Sequence, residues 1–375
     1  MKRKIVKIGF AGCGWIVDKA HIPAYINLED VQIFSVFDVC KSRVIDLAGR
    51  YNIPGVYDDY DEFLKSGIDA VIIATPNFTH ADYSIRALEH GVHVLCEKPV
   101  AINTEEIKNV INVANKQNRL FIPGFVNRFR EDICIIRKLV SNDRIGEITD
   151  VKAGWLRRAG IPRPRTWFTN KELSGGGVLI DLGSHIIDIC LMFLGKAVPR
   201  EMSLLTNEAS KTAQEAGASW FKSDMEGSLP VDVEDMATGR ISFEEGATMG
   251  FEVGWSAPVE RDCTYFILTG TKGQIKLKTL FGFSDDRLWK EDSLSVESTN
   301  SEPEDICINM DTNNSRKAFF SLAEYFVNCI RGEKANVLGS DDALRNVETI
   351  ERLYKSQVDK EFDFKTYIPG CVELE

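Results

Sequence analysis

Asp181 and His185 stand four residues apart and form the pair in this sequence best suited to moving a proton. On a helix that spacing puts both side chains on one face. An imidazole titrates near neutrality, so His185 is the natural acceptor for a hydroxyl proton, with Asp181 placed to orient the hydroxyl and steady the imidazolium. Lys98 is the third candidate: it follows the apolar run 93–96 and Glu97, and Pro99 fixes the backbone behind it. An ammonium at a strand end can donate to a reacting oxygen and stabilise charge growing on it, and if desolvated it can share the proton. Plainer roles stand beside these. Ile186, Ile187 and Ile189 surround His185 as they would a core histidine, and Glu97 can serve as partner to a solvated Lys98.

A second set of residues suits a dinucleotide. Gly12-Cys13-Gly14-Trp15-Ile16 carries Gly-x-Gly, with Val17 where a third glycine would complete the fingerprint. Gly-x-Gly alone is a weak signal; its strength here comes from the apolar run 4–11 before it and the helical stretch after it. Gly12 permits the tight turn, and Gly14 lets a pyrophosphate approach the helix N-terminus. Val17 implies looser helix–strand packing. Asp38 ends the second apolar run and is placed to accept hydrogen bonds from the adenine-side ribose hydroxyls. A 2′-phosphate beside that carboxylate is repelled, which favours NAD over NADP, although Lys41 and Arg43 are near in sequence. Thr75, Pro76 and Asn77 close another strand and suit either the lining of a cofactor channel or an ordinary turn. His80 behind them reads as a helix residue with a local hydrogen bond.

These residues need a frame. Short apolar runs at 4–11, 31–37, 70–74, 93–96 and 120–123 alternate with helical stretches, the pattern of a doubly wound parallel α/β sheet with right-handed crossovers. The run 70–74 is apolar without a break, as in a strand covered on both faces. After Gly124 the texture changes. Alternating stretches at 148–155, 237–243, 248–255, 263–269 and 274–278 are separated by glycine turns and read as a largely antiparallel sheet. Helices fit 131–141, 177–193, 316–330 and 340–356, and 206–232 reads as a polar loop. The expected division is a dinucleotide-binding domain over 1–123 and an α+β domain for substrate and self-association over 124–375, with terminal helices free to pack on either.

Bulk properties narrow the partners. The chain has 375 residues and a formal net charge of -11, which argues against nucleic acid or an anionic membrane surface. Arg157, Arg158, Arg163 and Arg165 form a local basic group that reads as a solvated loop or as recognition of phosphate or carboxylate on a substrate. Nine scattered cysteines make no CxxC pair and suit a reducing, cytoplasmic setting. No His/Cys/Asp set has metal-ligand spacing. No apolar run reaches eighteen residues, so no membrane span is expected.

In order along the chain, several motifs resemble those of the glucose–fructose oxidoreductase, inositol dehydrogenase and MocA-like family. They are Gly12-Cys13-Gly14-Trp15-Ile16 with His21 and Pro23 following; Ala74-Thr75-Pro76-Asn77 with His80; Gly91-Val92-His93-Val94-Leu95-Cys96-Glu97-Lys98-Pro99; Gly124-Phe125-Val126-Asn127-Arg128-Phe129; and Gly175-Gly176-Gly177 leading to Asp181 and His185. The resemblance implies an NAD-dependent oxidation of a secondary alcohol on a sugar, sugar phosphate or cyclitol. It implies Lys98, Asp181 and His185 as catalytic residues. It sets Glu97, Arg165 and Trp167 beside the cofactor. Asn127, at the expected domain junction, is a candidate contact for cofactor and substrate, and Arg157 of the basic group is a candidate substrate contact. Val17 and the polar stretch after Thr206 depart from the family pattern. Two other readings are a nucleotide-sensing regulator and a dehydrogenase of another class, such as one acting on dihydrodiols. The second sheet has a face with no obvious cover, which points to a dimer or tetramer.

Overall fold

The structure, a computed structural model, describes residues 4–208, 228–299, 302–308, 314–357, 369–371 and 374. Packing divides the chain into two units, Met1–Phe129 with Arg316–Val347, and Arg130–Ser315 with Glu348–Glu375.

Unbroken apolar strands require cover on both faces, and the first unit is built that way. Its strands are β1 (Val6–Ala11), β2 (Val31–Phe37), β3 (Gly55–Tyr57), β4 (Ala70–Ile73), β5 (His93–Cys96) and β6 (Phe121–Pro123). All pairings are parallel, in the order β3-β2-β1-β4-β5-β6. Strand order reverses between β1 and β4, and the carboxyl ends around that switch point are where such sheets bind ligands. Gly12, Asp38, Thr75 and Glu97 directly follow or closely succeed the ends of β1, β2, β4 and β5. Val71, Ile73, Val94 and Cys96 pack against Phe63, Leu88, Ile107 and Val110, with Ala343 and Val347 of the closing helix in the same cluster.

The helices are α1 (Ile22–Tyr25), α2 (Lys41–Tyr51), α3 (Tyr60–Leu64), α4 (His80–Glu89), α5 (Thr104–Gln117), α6 (Glu131–Ser141), α7 (Lys171–Ser174), α8 (Ser184–Phe193), α9 (Asn314–Ile330) and α10 (Ser340–Lys355). Asn103 caps α5: its side chain accepts from the Glu106 N–H at 2.9 Å, and Glu106 answers by accepting from the Asn103 amide at 3.0 Å. The helix expected directly after the glycine turn is not a regular one. Val17–His21 is wound as a π-helix, in which the Ile22 N–H reaches back five residues to the Val17 carbonyl. Val17 is fully buried in that stretch. The wider turn accommodates a side chain at the position where the fingerprint usually has none.

The second unit holds a mixed sheet. Its strands are β7 (Ile148–Leu156), β8 (Pro199–Glu208), β9 (Glu234–Phe243), β10 (Thr248–Gly254), β11 (Cys263–Gly270), β12 (Gly273–Thr279), β13 (Ser293–Ser298) and β14 (Glu304–Ile306). The order is β14-β13-β12-β11-β7-β10-β9-β8, antiparallel at every pairing except β7 with β10. Alternation decides the faces: Val151, Ala153 and Trp155 of β7 and Met249, Phe251 and Val253 of β10 point into one core with Ile186, Ile187 and Cys190 of α8. On the opposite face Leu156, Met236, Tyr265 and Ile267 cluster with Cys371. Strands β8 and β14 carry polar residues in irregular order and β13 alternates over only Leu294 and Val296, so none was legible as a strand. Thr206 belongs to β8, and most of the polar stretch expected after it lies outside the described residues.

Lys171–Phe193 is long and apolar enough to cross a membrane, but 89% of its most apolar window is buried inside the fold. It is a core segment of the second unit. Within it Leu179–Gly183 is again π-helical before α8 begins.

Candidate active site

At the strand ends of the first unit, the glycine turn is tied to the end of β2. Gly12 has φ +96° and its N–H donates to the Phe37 carbonyl at 2.7 Å. A Cβ on Gly12 would stand 2.5 Å from the Ala74 carbonyl oxygen, so no side chain fits. Asp38 is buried, and its two oxygens accept from the Cys13 N–H at 2.8 Å and the Cys40 N–H at 2.9 Å. A carboxylate offers about four acceptor directions, so two remain for ribose hydroxyls. Burial, with Asp38 beside it, pushes the Cys13 thiol far above its usual range, which removes it as a nucleophile. Of the two basic residues near Asp38 in sequence, Lys41 pairs with Asp58 at 3.4 Å. Trp15 and Ile16 form the first turn after Gly14 and are half-buried.

The neighbouring strand ends are braced. His80 is buried, with Nδ1 at 2.7 Å from the Pro99 carbonyl and Nε2 at 2.8 Å from the Thr75 carbonyl. Burial holds its pKa below the ordinary histidine value. His80 thus pins the loop after β4 to the loop after β5. The Thr75 hydroxyl lies 2.6 Å from that of Thr79, which donates to the Pro76 carbonyl, and Asn77 is buried at the start of the same turn. Sequence reasoning gave His21 no part in the site. Its Nε2 lies 2.7 Å from Glu97 Oε1, both residues are buried, and its ring meets Phe319 edge-on at 5.0 Å. The other Glu97 oxygen accepts from the Lys98 N–H at 3.2 Å. The Glu-Lys-Pro segment is therefore fixed through its glutamate, from the π-helix after the glycine turn. Asn127 is buried in the 3-10 turn Val126–Phe129.

In the second unit, Asp181 lies in the π-helical turn and His185 one turn on, in α8. Trp255 donates from Nε1 to Asp181 Oδ2 at 2.9 Å, which fixes the carboxylate. His185 is 8% exposed, with its ring 5.8 Å from that of Trp155. The guanidinium of Arg157 lies 5.2 Å from the Trp155 ring, and the charges of Asp181 and Asp262 favour its protonated form. Burial pulls the Arg157 pKa down.

The basic group around Arg157 does not act as one. Arg157 is buried, whereas Arg158 is on the surface and pairs with Asp286 at 3.2 Å. Arg165 is exposed, on a loop whose backbone has φ +62°, and Trp167 is half-buried in the next 3-10 turn. Trp255 had no signal in the sequence, because it lies 74 residues from Asp181, just after the end of β10.

The residues of the first unit fit a dinucleotide: a turn whose closest approach excludes any Cβ, an acidic end to β2, and rigid groups at the carboxyl ends of β4 and β5. Comparison with known proteins agrees. Residues 6–125 match "Oxidoreductase family, NAD-binding Rossmann fold", and residues 135–276 match "GFO/IDH/MocA C-terminal domain". The chain is 32% identical over 256 residues to D-glucoside 3-dehydrogenase of Escherichia coli, covering 67% of this chain and 70% of that one. It is 30% identical over 284 residues to levoglucosan dehydrogenase of Pseudarthrobacter phenanthrenivorans, covering 72% and 73%. The crystal structure of an aldose-aldose oxidoreductase from Caulobacter crescentus superposes with TM-score 0.76 at 21% identity, covering 94% of this chain and 97% of that one, and attests the fold. The chain belongs to the GFO/IDH/MocA family of oxidoreductases with an NAD-binding Rossmann fold.

Proposed function

We propose that this protein oxidises a secondary ring hydroxyl of a glucoside or a related sugar, sugar phosphate or cyclitol, with NAD as hydride acceptor. The observation that carries the reading is the Asp181–His185 turn, where Trp255 locks the carboxylate and His185 follows against Trp155. His185 accepts the hydroxyl proton and Asp181 orients the alcohol. The family's motif order joins Lys98 to the same reaction, as donor to the substrate oxygen. Bound at the glycine turn, NAD supplies the hydride acceptor. Gly12, Cys13, Gly14, Trp15, Ile16 and Asp38 hold its adenine side, and Thr75, Pro76, Asn77 and Glu97 line its path, with His80 bracing them. The family adds Asn127, Arg165 and Trp167 to the cofactor contacts.

The relatives' names support a glucoside and, in one case, its 3-position. Trp155 adds a polar contact: its indole N–H is buried and meets no acceptor among the described residues, a donor suited to a substrate oxygen. Arg157 lies close enough to the same ring to favour a substrate rich in acceptors. Asp38, with Lys41 already paired, favours NAD over NADP. Self-association as a dimer or tetramer and a cytoplasmic location complete the proposal, the first checked by light scattering at micromolar concentration.

The test is NAD reduction, followed by absorbance, with a panel of methyl glucosides, sugar phosphates and inositols. The panel should reveal at least one substrate, and His185→Ala should lose about 10²–10⁴-fold in kcat on it while NAD affinity is kept. Near-normal turnover by folded His185→Ala would refute the assignment of the base.

A further inference from the structure

The run Gly175-Gly176-Gly177 has no chemistry of its own, yet the structure gives it two partners. A Cβ on Gly176 would stand 2.0 Å from the Tyr354 hydroxyl, and one on Gly177 would stand 2.1 Å from the Glu234 backbone carbonyl. The chain is pressed here against the start of β9 and the end of α10. Glu234 uses that approach. Its Oε1 accepts from the Gly177 N–H at 3.0 Å, the Leu179 N–H at 3.0 Å and the Tyr354 hydroxyl at 2.8 Å, and its Oε2 accepts from the Gly177 N–H at 3.1 Å.

The first N–H groups of a helix have no partner within the helix and attract negative charge. Glu234 supplies that charge at the start of the helical segment that carries Asp181 and His185. Asp181 is tied in turn, its N–H donating to the Gly177 carbonyl at 3.0 Å. Gly177 is therefore held on one side by Glu234 and holds Asp181 on the other. Burying a carboxylate is costly, and its environment shows this: burial raises the Glu234 pKa above 4.5, with the Leu179, Tyr354 and Gly177 donors only partly offsetting it. A group that served only to fill space would be apolar.

We propose that Glu234, supported by Tyr354, is a positioning residue that sets the placement of Asp181 and His185 by anchoring the start of their helix through the Gly177 and Leu179 N–H groups. The inference rests on the reading of His185 as the base. Both oxygens of the buried Glu234 are taken by Gly177, Leu179 and Tyr354 of the second unit, so its effect belongs in kcat rather than in cofactor affinity.

Two substitutions separate anchoring from packing. Glu234→Gln keeps an acceptor oxygen at the Oε1 position, where three of the four contacts converge. Glu234→Met keeps the volume and removes every acceptor. The parent and both variants are assayed with NAD and the fastest sugar of the panel, and NAD affinity is measured by fluorescence titration. Glu234→Gln should stay within about tenfold of the parent in kcat, the scale of one weakened hydrogen bond. Glu234→Met should lose about 100-fold, the scale of a misplaced catalytic group, with NAD affinity unchanged. In a His185→Ala background the cost of Glu234→Met should shrink, because the part that acts through that histidine is already lost. Should Glu234→Met not fold, Tyr354→Phe replaces it, with an expected several-fold loss in kcat and the same reduced cost in the His185→Ala background. Equal kcat for the Met and Gln variants overturns the proposal, as does an unchanged kcat for Tyr354→Phe where that variant stands in. A loss that persists undiminished in the His185→Ala background does so as well. An active His185→Ala, or a parent inert on the whole panel, overturns the proposed function and this inference with it; an inactive His185→Ala beside a fully active Glu234→Met overturns the inference alone.

Discussion

The two units each depend on a glycine run, and the runs differ in where their partners lie. Gly12 is demanded by its own φ of +96° and by the Ala74 carbonyl at the end of the adjacent strand. The strand before it, the helix after it and the acidic residue that follows on β2 are all readable in sequence, and together they announce a dinucleotide turn. Gly176 and Gly177 are demanded by Tyr354 and Glu234, on elements remote in the chain. Their sequence context announces only a turn. A glycine that serves a ligand is legible through its neighbours, whereas one that serves a tertiary anchor becomes legible once the fold is known.

The comparison can be broken most sharply by exchanging the two defects. Gly177→Ala sets a methyl group against the Glu234 backbone, which cannot move aside as a side chain could. Overpacking of that kind costs about 1–3 kcal/mol. The expected outcome is a lowered Tm and a kcat reduced about 100-fold by displacement of the catalytic turn, with NAD affinity preserved. Gly12→Ala sets its methyl group against the Ala74 carbonyl and forces an alanine to positive φ. There the Kd for NAD should rise at least tenfold, on the scale of 1–3 kcal/mol of backbone strain, while kcat at saturating NAD falls less. If Gly177→Ala weakened NAD binding and Gly12→Ala spared it, the assignment of the two runs would be reversed.

A smaller effect sharpens the nucleotide side. Asp38→Ser removes the charge that repels a 2′-phosphate, so the ratio of NADP to NAD dissociation constants should fall about tenfold, the scale of one hydrogen bond to a charged group. Asp38 also holds the Cys13 and Cys40 N–H groups, so part of the change should appear as weaker NAD binding. Equal affinities of the unmutated protein for NAD and NADP, by isothermal titration, would remove the basis for the preference.

What the sequence showed and what it hid follow the same division. The parallel strands of the first sheet and the strands β7, β9, β10, β11 and β12 were written in local periodicity. The helix over residues 131–141 was found to the residue. Strands β8 and β14 were missed because their edge positions demand little apolar alternation, and β13 because its alternation is only two apolar residues long, Leu294 and Val296. The π-helical turns at Val17–His21 and Leu179–Gly183 were missed because they answer packing, around Val17 in the first case and around the Glu234 anchor in the second. Asp181 and His185 were visible as residues, but Trp255, Glu234 and Tyr354, which fix the turn carrying them, were not. His21 carried no signal of its own in the sequence, and its contact with Glu97 makes it a support for the Glu-Lys-Pro segment.

The smallest predicted effect concerns pH, where one acid from each unit should move stability in opposite directions. In the first unit, burial of Asp18 is outweighed by hydrogen bonds from Lys19, Arg50 and Tyr51, and its pKa is held below 3.8. In the unfolded chain Asp18 binds its proton at higher pH than in the fold, so it adds stability above that range, lost as pH falls through its folded value. In the second unit the balance at Glu234 runs the other way. Burial raises its pKa above 4.5 despite the Leu179, Tyr354 and Gly177 donors. Between pH 4.5 and its raised value the folded chain holds the proton that the unfolded chain has released, so stability falls as pH rises through that window. Paired melts of parent and Glu234→Gln from pH 4 to 8 isolate this contribution, since all other groups are common to both. The Tm of the variant minus that of the parent should increase with pH across the window. For Asp18→Asn the same difference should decrease as pH rises from 3 to 5. A flat or falling difference for Glu234→Gln would mean that its ionised form is fully compensated in the fold, and the anchor would then hold its helix without the electrostatic cost assigned to it here.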